Sequence, residues 1–492
     1  MDRNDALWQL VDQARPSMSD VSWKEQYNNL LKLPINPSIT PEAKALLDNL
    51  YFLQGKRIIT GQHEYLEAPY TYAEQVRIKT GKYPLLKGVE FGGITSQTPE
   101  TLAAQRQGVV NAAKAWHDAG GIVTATYHQV YPGTALTWPN VQRATTKAEF
   151  DELVTPGTAL YEALIVAIDE VAEYLKQLRD CGVPVLWRPY HEMNGGWFWW
   201  GKKSNFAELW EIMYQRYTHY HGLNNLLWVW SANANNQWCE PAANYYVGHN
   251  RADALGMDIY NNEYYYSNYY ELIRLAEGKI ISITENGQMP DMDKCLHRQF
   301  KYSWFMTWGN YLTNNEPNHG RWNTDETIVA VYNHPYALNR GDAYDPDKIM
   351  PSMVADGLMG KYYLGQEFNT LKVSKIVPTV NFNWLGGTTI NSWNMTVRWT
   401  GYLEAIYDED YTIYVESSDG VRLWVDNLLV IDDWAVHGTA EVSAVVRLAA
   451  GKQHNIKLEY FNVSDAVANI KLSWSSASQA KEVIPQAQLY SV

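Results

Sequence analysis

Three cysteines in 492 residues, Cys181, Cys239 and Cys295, are too few and too far apart for a disulfide framework or a Cys-x-x-Cys metal knuckle. Basic charge is also short. Forty Lys and Arg stand against 54 Asp and Glu, and a net charge of −14 disfavours nucleic acid or anionic membrane as the main partner. A neutral polymer stays open. No run of 18 apolar residues occurs, so no membrane span is expected. The N-terminal MDRNDALWQLVDQARP lacks the apolar stretch of an export signal. Walker and dinucleotide glycine fingerprints are missing too, which argues against nucleotide chemistry. What is abundant is aromatic: 21 Trp and 35 Tyr, from which a large core or flat sugar platforms can be built. A length of 492 residues, 46% of them hydrophobic, implies two or three globular units.

From about residue 50 to 340, short β-like runs alternate with longer helical stretches. The runs fall at 57–63, 85–93, 121–128, 183–192, 225–233, 254–261, 279–287 and 300–309. Most have the continuous apolar centre of strands buried on both faces. Between several lie amphipathic helices, two of them stopped at Gly120 and Gly182. Eight such units over roughly 290 residues predict an α/β fold, a (β/α)8 TIM barrel. After residue 357 helical periodicity gives way to short alternating runs between Gly, Asn and Asp turns, which predicts a C-terminal all-β sandwich domain. The expected organisation is an N-terminal bracing segment at 1–40, a barrel at 41–350 and the sandwich at 357–492.

In such a barrel the reactive groups gather at the C-terminal ends of the strands. Those ends carry His63, Glu64, Glu90, His128, His191, Glu192, Asp258 and Glu285, and no lysine. Carboxyls and imidazoles without lysine suit acid–base or glycosyl chemistry. The richest stretch is VPVLWRPYHEMNGGWFWWG, 183–201. Its apolar strand ends in Arg188, His191, Glu192 and Asn194, and Trp197, Phe198, Trp199 and Trp200 follow. A carboxyl beside flat apolar rings is what a glycosidic bond requires. Two other readings compete: Glu192 as an ion-pair partner of Arg188, and Glu285 as a carboxylate capping the ENG turn. HEMNG is not a zinc motif, because Gly195 stands where a second His would be needed.

WRPYHEMNGGWFWWG, followed by GMDIYN and ITENG, closely resembles glycoside hydrolase family 26 over roughly residues 40–340. The resemblance implies a retaining endo-β-1,4-mannanase that hydrolyses mannan, glucomannan or galactomannan by double displacement. Carried over by position, Glu192 becomes the general acid/base and Glu285 the nucleophile. The pair is expected to rest with Glu192 protonated and Glu285 ionised. His128 and His191 resemble sugar-binding residues, with a satisfied core histidine as the alternative. Tyr260 resembles a tyrosine that hydrogen-bonds the nucleophile. Asp258 either orients that group, binds sugar or is structural. Trp197 resembles a stacking platform, and Trp304, in preference to Trp308, the floor under the distorted sugar. Trp138 is a further candidate platform, and Trp199, Trp200, Trp228 and Trp230 are expected in the core. The rivals are a β-1,3-1,4-glucanase or β-1,3-xylanase using the same carboxyls, or a non-catalytic glycan-binding protein.

The last third, through GLMGKYYLG, SSDGVRLWVDN and IPQAQLY, resembles the protective-antigen-like β-sandwich. That resemblance implies either a carbohydrate-binding module or a spacer. Members that bind calcium use an Asp-Asp pair; here the pair reads Ser418-Asp419, so a calcium site is poorly supported and no other cofactor is expected. The expected partner is a β-mannan or related plant polysaccharide, met by a monomer that is secreted or displayed at the cell surface.

Overall fold

A computed structural model describes residues 30–312, 322–343, 357–384, 394–450, 453–463 and 468–491. The chain divides into two compact units, Met1–Pro351 and Ser352–Val492. The expected boundary near 350 and most of the 1–40 segment lie outside the described residues.

The first unit is a closed parallel barrel. Its strands are β1 (Ile58–Ile59 and Gly61–His63), β2 (Leu86–Glu90), β3 (Ile122–Tyr127), β4 (Val185–Pro189), β5 (Leu226–Asn233), β6 (Ala254–Ile259), β7 (Ile280–Asn286) and β8 (Tyr302–Thr307). Neighbours pair in chain order, and β8 closes the ring on β1 through Ile59 opposite Trp304 and Gln62 opposite Thr307. Each of the eight predicted runs contains one strand. The long helices also follow the sequence. Thr98 caps Pro99–Asp118 and Thr158 caps Ala159–Asp180, each accepting an N–H of the first turn. Gly120 and Gly182 take the left-handed backbone just past the two ends.

Period-two alternation sorts the strand side chains. One set faces the helices: Val123, Ala125, Tyr127, Trp187, Trp228, Trp230, Ile281 and Ile283 belong to the large core between strands and helices. The other set faces the axis. Its lowest layer, with Ile59, Leu86, Leu186, Leu227, Ile280 and Trp304, packs on Ala43, Leu46, Leu47 and Leu50 of the helix Pro41–Leu53. That helix closes the N-terminal end of the barrel. Thr40 and Ile35 tie the preceding segment on by donating to Asn224 O (2.8 Å) and Asp253 Oδ1 (2.8 Å). The inner layers above become polar, as the site requires.

The second unit is a sandwich of two antiparallel sheets, with seven and five strands among the described residues. Val397, Trp399 and Leu458 of the larger sheet share one core with Ile413, Val415, Leu472 and Trp474 of the smaller. Asp419 is buried, and its two oxygens accept the His437 and Val463 N–H groups at 3.1 and 3.0 Å. Ser418 Oγ contacts Tyr460, Asn462 and Asn469 instead of leaving an open ligand. Calcium wants six or more oxygens, several of them carboxylate. This loop offers one carboxylate already committed to amides and does not fit the ion.

Candidate active site

β4 places Arg188 two positions above Leu186 on the inner face, so its guanidinium rises into the barrel axis. The chain then turns sharply. Tyr190 and Glu192 adopt left-handed backbone, φ 45° and 55°, which costs side-chain-bearing residues about 1 kcal/mol each. The Glu192 N–H is held by Ser231 O of β5 at 2.8 Å. Asn194 fixes the next step by exchanging hydrogen bonds with the Asn233 backbone at 2.8 and 2.9 Å. Gly195 is required because an added Cβ would stand 2.3 Å from the Trp197 ring. That ring folds back, and Trp197 Nε1 donates to Glu192 Oε2 at 2.5 Å.

Glu285 reaches the same space by a different device. Ile281 and Ile283 face the helices, while Ser231 Oγ meets Thr284 Oγ1 at 2.6 Å inside the barrel. Strict alternation would send Glu285 outward. A register shift between β6 and β7 brings Asp258 opposite Glu285 and turns this carboxyl inward instead. Arg188 Nη2 donates to Glu285 Oε1, and Tyr260 OH donates to Oε2 at 2.8 Å. Arg188 Nη1 also donates to Asp258 Oδ2 at 3.1 Å, and Ser231 Oγ to Asp258 Oδ1 at 2.9 Å. Glu285 caps no turn, and the two ion pairs of Arg188 are to Asp258 and Glu285 rather than Glu192.

Both residues open on a cleft of about 350 Å³. Its lining holds His128, Trp138, His191, Trp197, Tyr260 and Trp308. Two carboxyls line this space, and Asp258 and the Arg188 guanidinium lie buried beside them. Burial first, then the charges of Asp258 and Glu285, holds the Glu192 carboxyl well above the usual range. Burial also pushes Asp258 up, to about 7, against the pull of Arg188. Burial and Arg188 hold His191 well below its ordinary value, so it is a neutral imidazole, with Nε2 3.8 Å from Glu285 Oε1. His191, Asp258 and Glu285 are the one cluster among the described residues with a metal-like spacing. Arg188 already occupies both carboxylates, so the set does not suit a cation.

Two sequence expectations are corrected. Trp304 cannot floor the cleft: it shares the inner face with Met306 but lies in the lowest layer, 1% exposed, against the closing helix. Trp308, two residues beyond Met306, is the ring at the rim, stacked on His63 with centroids 3.8 Å apart and planes at 17°. Asp258 is fully buried and absent from the lining, so it orients Arg188 and does not reach a ligand. Phe198, Gln142, Asn233 and Tyr311 also line the cleft and were not anticipated. Trp308 was legible by counting to the end of β8; Gln142 and Tyr311 come from loops, where no period exists to be counted. Trp199, Trp200, Trp228 and Trp230 are fully buried, as expected of core rings.

A family model for glycosyl hydrolase family 26 matches residues 35–342, and one for the PA14 domain matches residues 355–488. A mannan endo-1,4-beta-mannosidase of Thermothelomyces thermophilus is 33% identical over 350 residues, which is 67% of this chain and 67% of that one. Mannan endo-1,4-beta-mannosidase A of Piromyces sp is 30% identical over 68% of this chain, a stretch spanning only 54% of the Piromyces protein. The solved structure of GH26A from Muricauda sp. superposes with a TM-score of 0.57 at 34% identity, covering 63% of this chain and all of that one. The closed barrel, the carboxyl-lined cleft at its C-terminal mouth and a match over 308 residues lead to one conclusion: the chain belongs to glycosyl hydrolase family 26.

Proposed function

We propose that the chain is a retaining endo-β-1,4-mannanase, with Glu192 as acid/base and Glu285 as nucleophile. The observation that carries this is a shared cleft with one carboxyl whose pKa burial raises well above the usual range and the other between Arg188 and Tyr260. Because Trp197 donates to Glu192 Oε2, the acid proton sits on Oε1, the oxygen free to meet the leaving group. Glu285 attacks the anomeric carbon as Glu192 protonates the departing oxygen, and a glycosyl ester forms. The ester carries no charge. The repulsion from Glu285 that raised Glu192 therefore disappears, its pKa falls, and it takes a proton from the incoming water.

His128 and His191 are assigned to sugar hydroxyls, and Trp138, Trp197 and Trp308 to the apolar faces of the pyranoses. Trp138 is 38% exposed, as a ring awaiting a ligand would be. Catalysis is assigned to residues 41–350, and polymer holding to the sandwich at 357–492. The enzyme is read as an exported monomer, since its substrate is a polymer met outside cells. The mannan assignment follows the mannosidase relatives. Initial rates on linear mannan, lichenan and β-1,3-xylan test it: mannan is expected to be cleaved fastest, and a higher rate on either other polymer would overturn it.

The proton on Glu192 must be present for the first step, so kcat/KM is retained below its raised pKa and lost as pH rises through it. Trp197→Phe keeps a ring but removes the donor that lowers this pKa. The basic limb of the pH profile is expected to move upward in that variant. An unmoved limb would show that the indole N–H does not act on the acid.

A further inference from the structure

Behind the cleft, Glu90 at the end of β2 accepts four hydrogen bonds. Its Oε1 takes the backbone N–H of Gly92 (2.5 Å) and of His128 (2.9 Å). Its Oε2 takes Thr126 Oγ1 (2.9 Å) and His128 Nδ1 (2.7 Å). Burial opposes an ionised carboxyl here, yet His128, through its ring and its backbone N–H, together with His63 holds Glu90 down at about 2. Gly92 is needed for the approach, since a Cβ there would stand 2.8 Å from Glu90 Oε1. The carboxylate has no hydrogen to give, so the contact at 2.7 Å requires the proton to be on His128 Nδ1.

The same logic runs one residue further. Thr126 has one hydroxyl hydrogen, and it has two acceptors, Glu90 Oε2 at 2.9 Å and the more distant Val89 O at 3.3 Å. Its oxygen therefore accepts from His63 Nε2 at 3.2 Å, which places the His63 proton on Nε2. His63 is the ring stacked under Trp308, and His128 lies edge-on to both Trp308 and His191, at 5.4 and 4.5 Å between centroids. Burial keeps His63 low against the charge of Glu90, and Arg188, a further neighbour of this set, lowers it too.

We propose that Glu90 is a positioning residue. It imposes opposite tautomers on two histidines, Nε2–H on His63 and Nδ1–H on His128, so that His128 Nε2 enters the cleft as a hydrogen-bond acceptor for a sugar hydroxyl. The role of His128 toward sugar rests on the function proposed above; the tautomers do not. A merely structural Glu90 would brace the loop through the Gly92 and His128 amides and leave the ring protons unordered.

Two-bond proton–nitrogen correlation on the free enzyme with 15N-labelled histidine reads each tautomer directly. The His63 and His128 signals are assigned by loss in His63→Gln and His128→Gln. The expected pattern at pH 7.5 is a protonated Nε2 on His63 and a protonated Nδ1 on His128. An Nε2–H or doubly protonated His128 overturns the proposal, whatever polymer the enzyme cleaves. Glu90→Gln then presents an amide N–H to His128 Nδ1, which should flip the tautomer and lower kcat/KM about 10- to 100-fold. Placed on His128→Ala, it should lower kcat/KM no further; additive losses would mean that Glu90 acts through something other than His128.

Discussion

Glu285→Ala is expected to lower kcat on mannan by roughly 10⁴-fold or more while leaving a folded protein. The loss is large because no other described carboxyl can replace the nucleophile. Asp258 is the one other carboxyl held by Arg188, and it is fully buried below the cleft. The fold should tolerate the change, since Arg188 keeps Asp258 as a partner and Glu192 loses a repelling charge. An ordinary thermal transition together with lost turnover is the predicted pair of results. Unimpaired turnover would remove Glu285 from the mechanism.

Arg188→Met is expected to be the most damaging single change for stability. The guanidinium is 1% exposed and bridges two carboxyls that no other cation reaches among the described ion pairs. Removing one partner of a buried pair costs about 3–5 kcal/mol, because the charge left behind is uncompensated. The sign of its pH dependence follows from linkage. Asp258, already raised by burial to about 7, loses the pull of Arg188 and rises further above its unfolded value. Stability is then greatest below the unfolded carboxyl range and falls as pH rises through the folded value. Urea melts of the variant should thus show a deficit at pH 7.5 that shrinks near pH 4.5. A deficit independent of pH would mean that Arg188 acts through packing of its stem alone.

The barrel was legible because its strands are buried on both faces and appear as apolar runs, and because capped helices separate them. The cleft carboxyl of Glu192 was legible for the same reason: it follows directly on such a run. Glu285 was less so. Its inward direction depends on a register shift against β6, and a one-residue shift is invisible in a single strand's pattern. Identifying it took the family resemblance and the chemical need for a second carboxyl. Trp304 was misplaced because composition shows a tryptophan near the end of a strand but not its layer. Counting by two from Trp304 through Met306 to Trp308 separates the bottom of the barrel from its rim. The Glu90–His128 contact spans 38 positions, and its purpose appears only when four donors are seen to converge. The loop residues of the cleft, Gln142 and Tyr311, have no periodic signature at all.

The division of labour between Glu192 and Glu285 is tested most directly by trapping the intermediate. A 2-deoxy-2-fluoro-β-mannobiosyl fluoride slows both steps but keeps a good leaving group, so the glycosyl ester should accumulate. Mass mapping of peptic fragments is predicted to place one fluoro-mannobiosyl group on the peptide bearing Glu285 and none on that bearing Glu192. A label on Glu192, or fluoride release from an enzyme that never carries a label, would contradict the assignment.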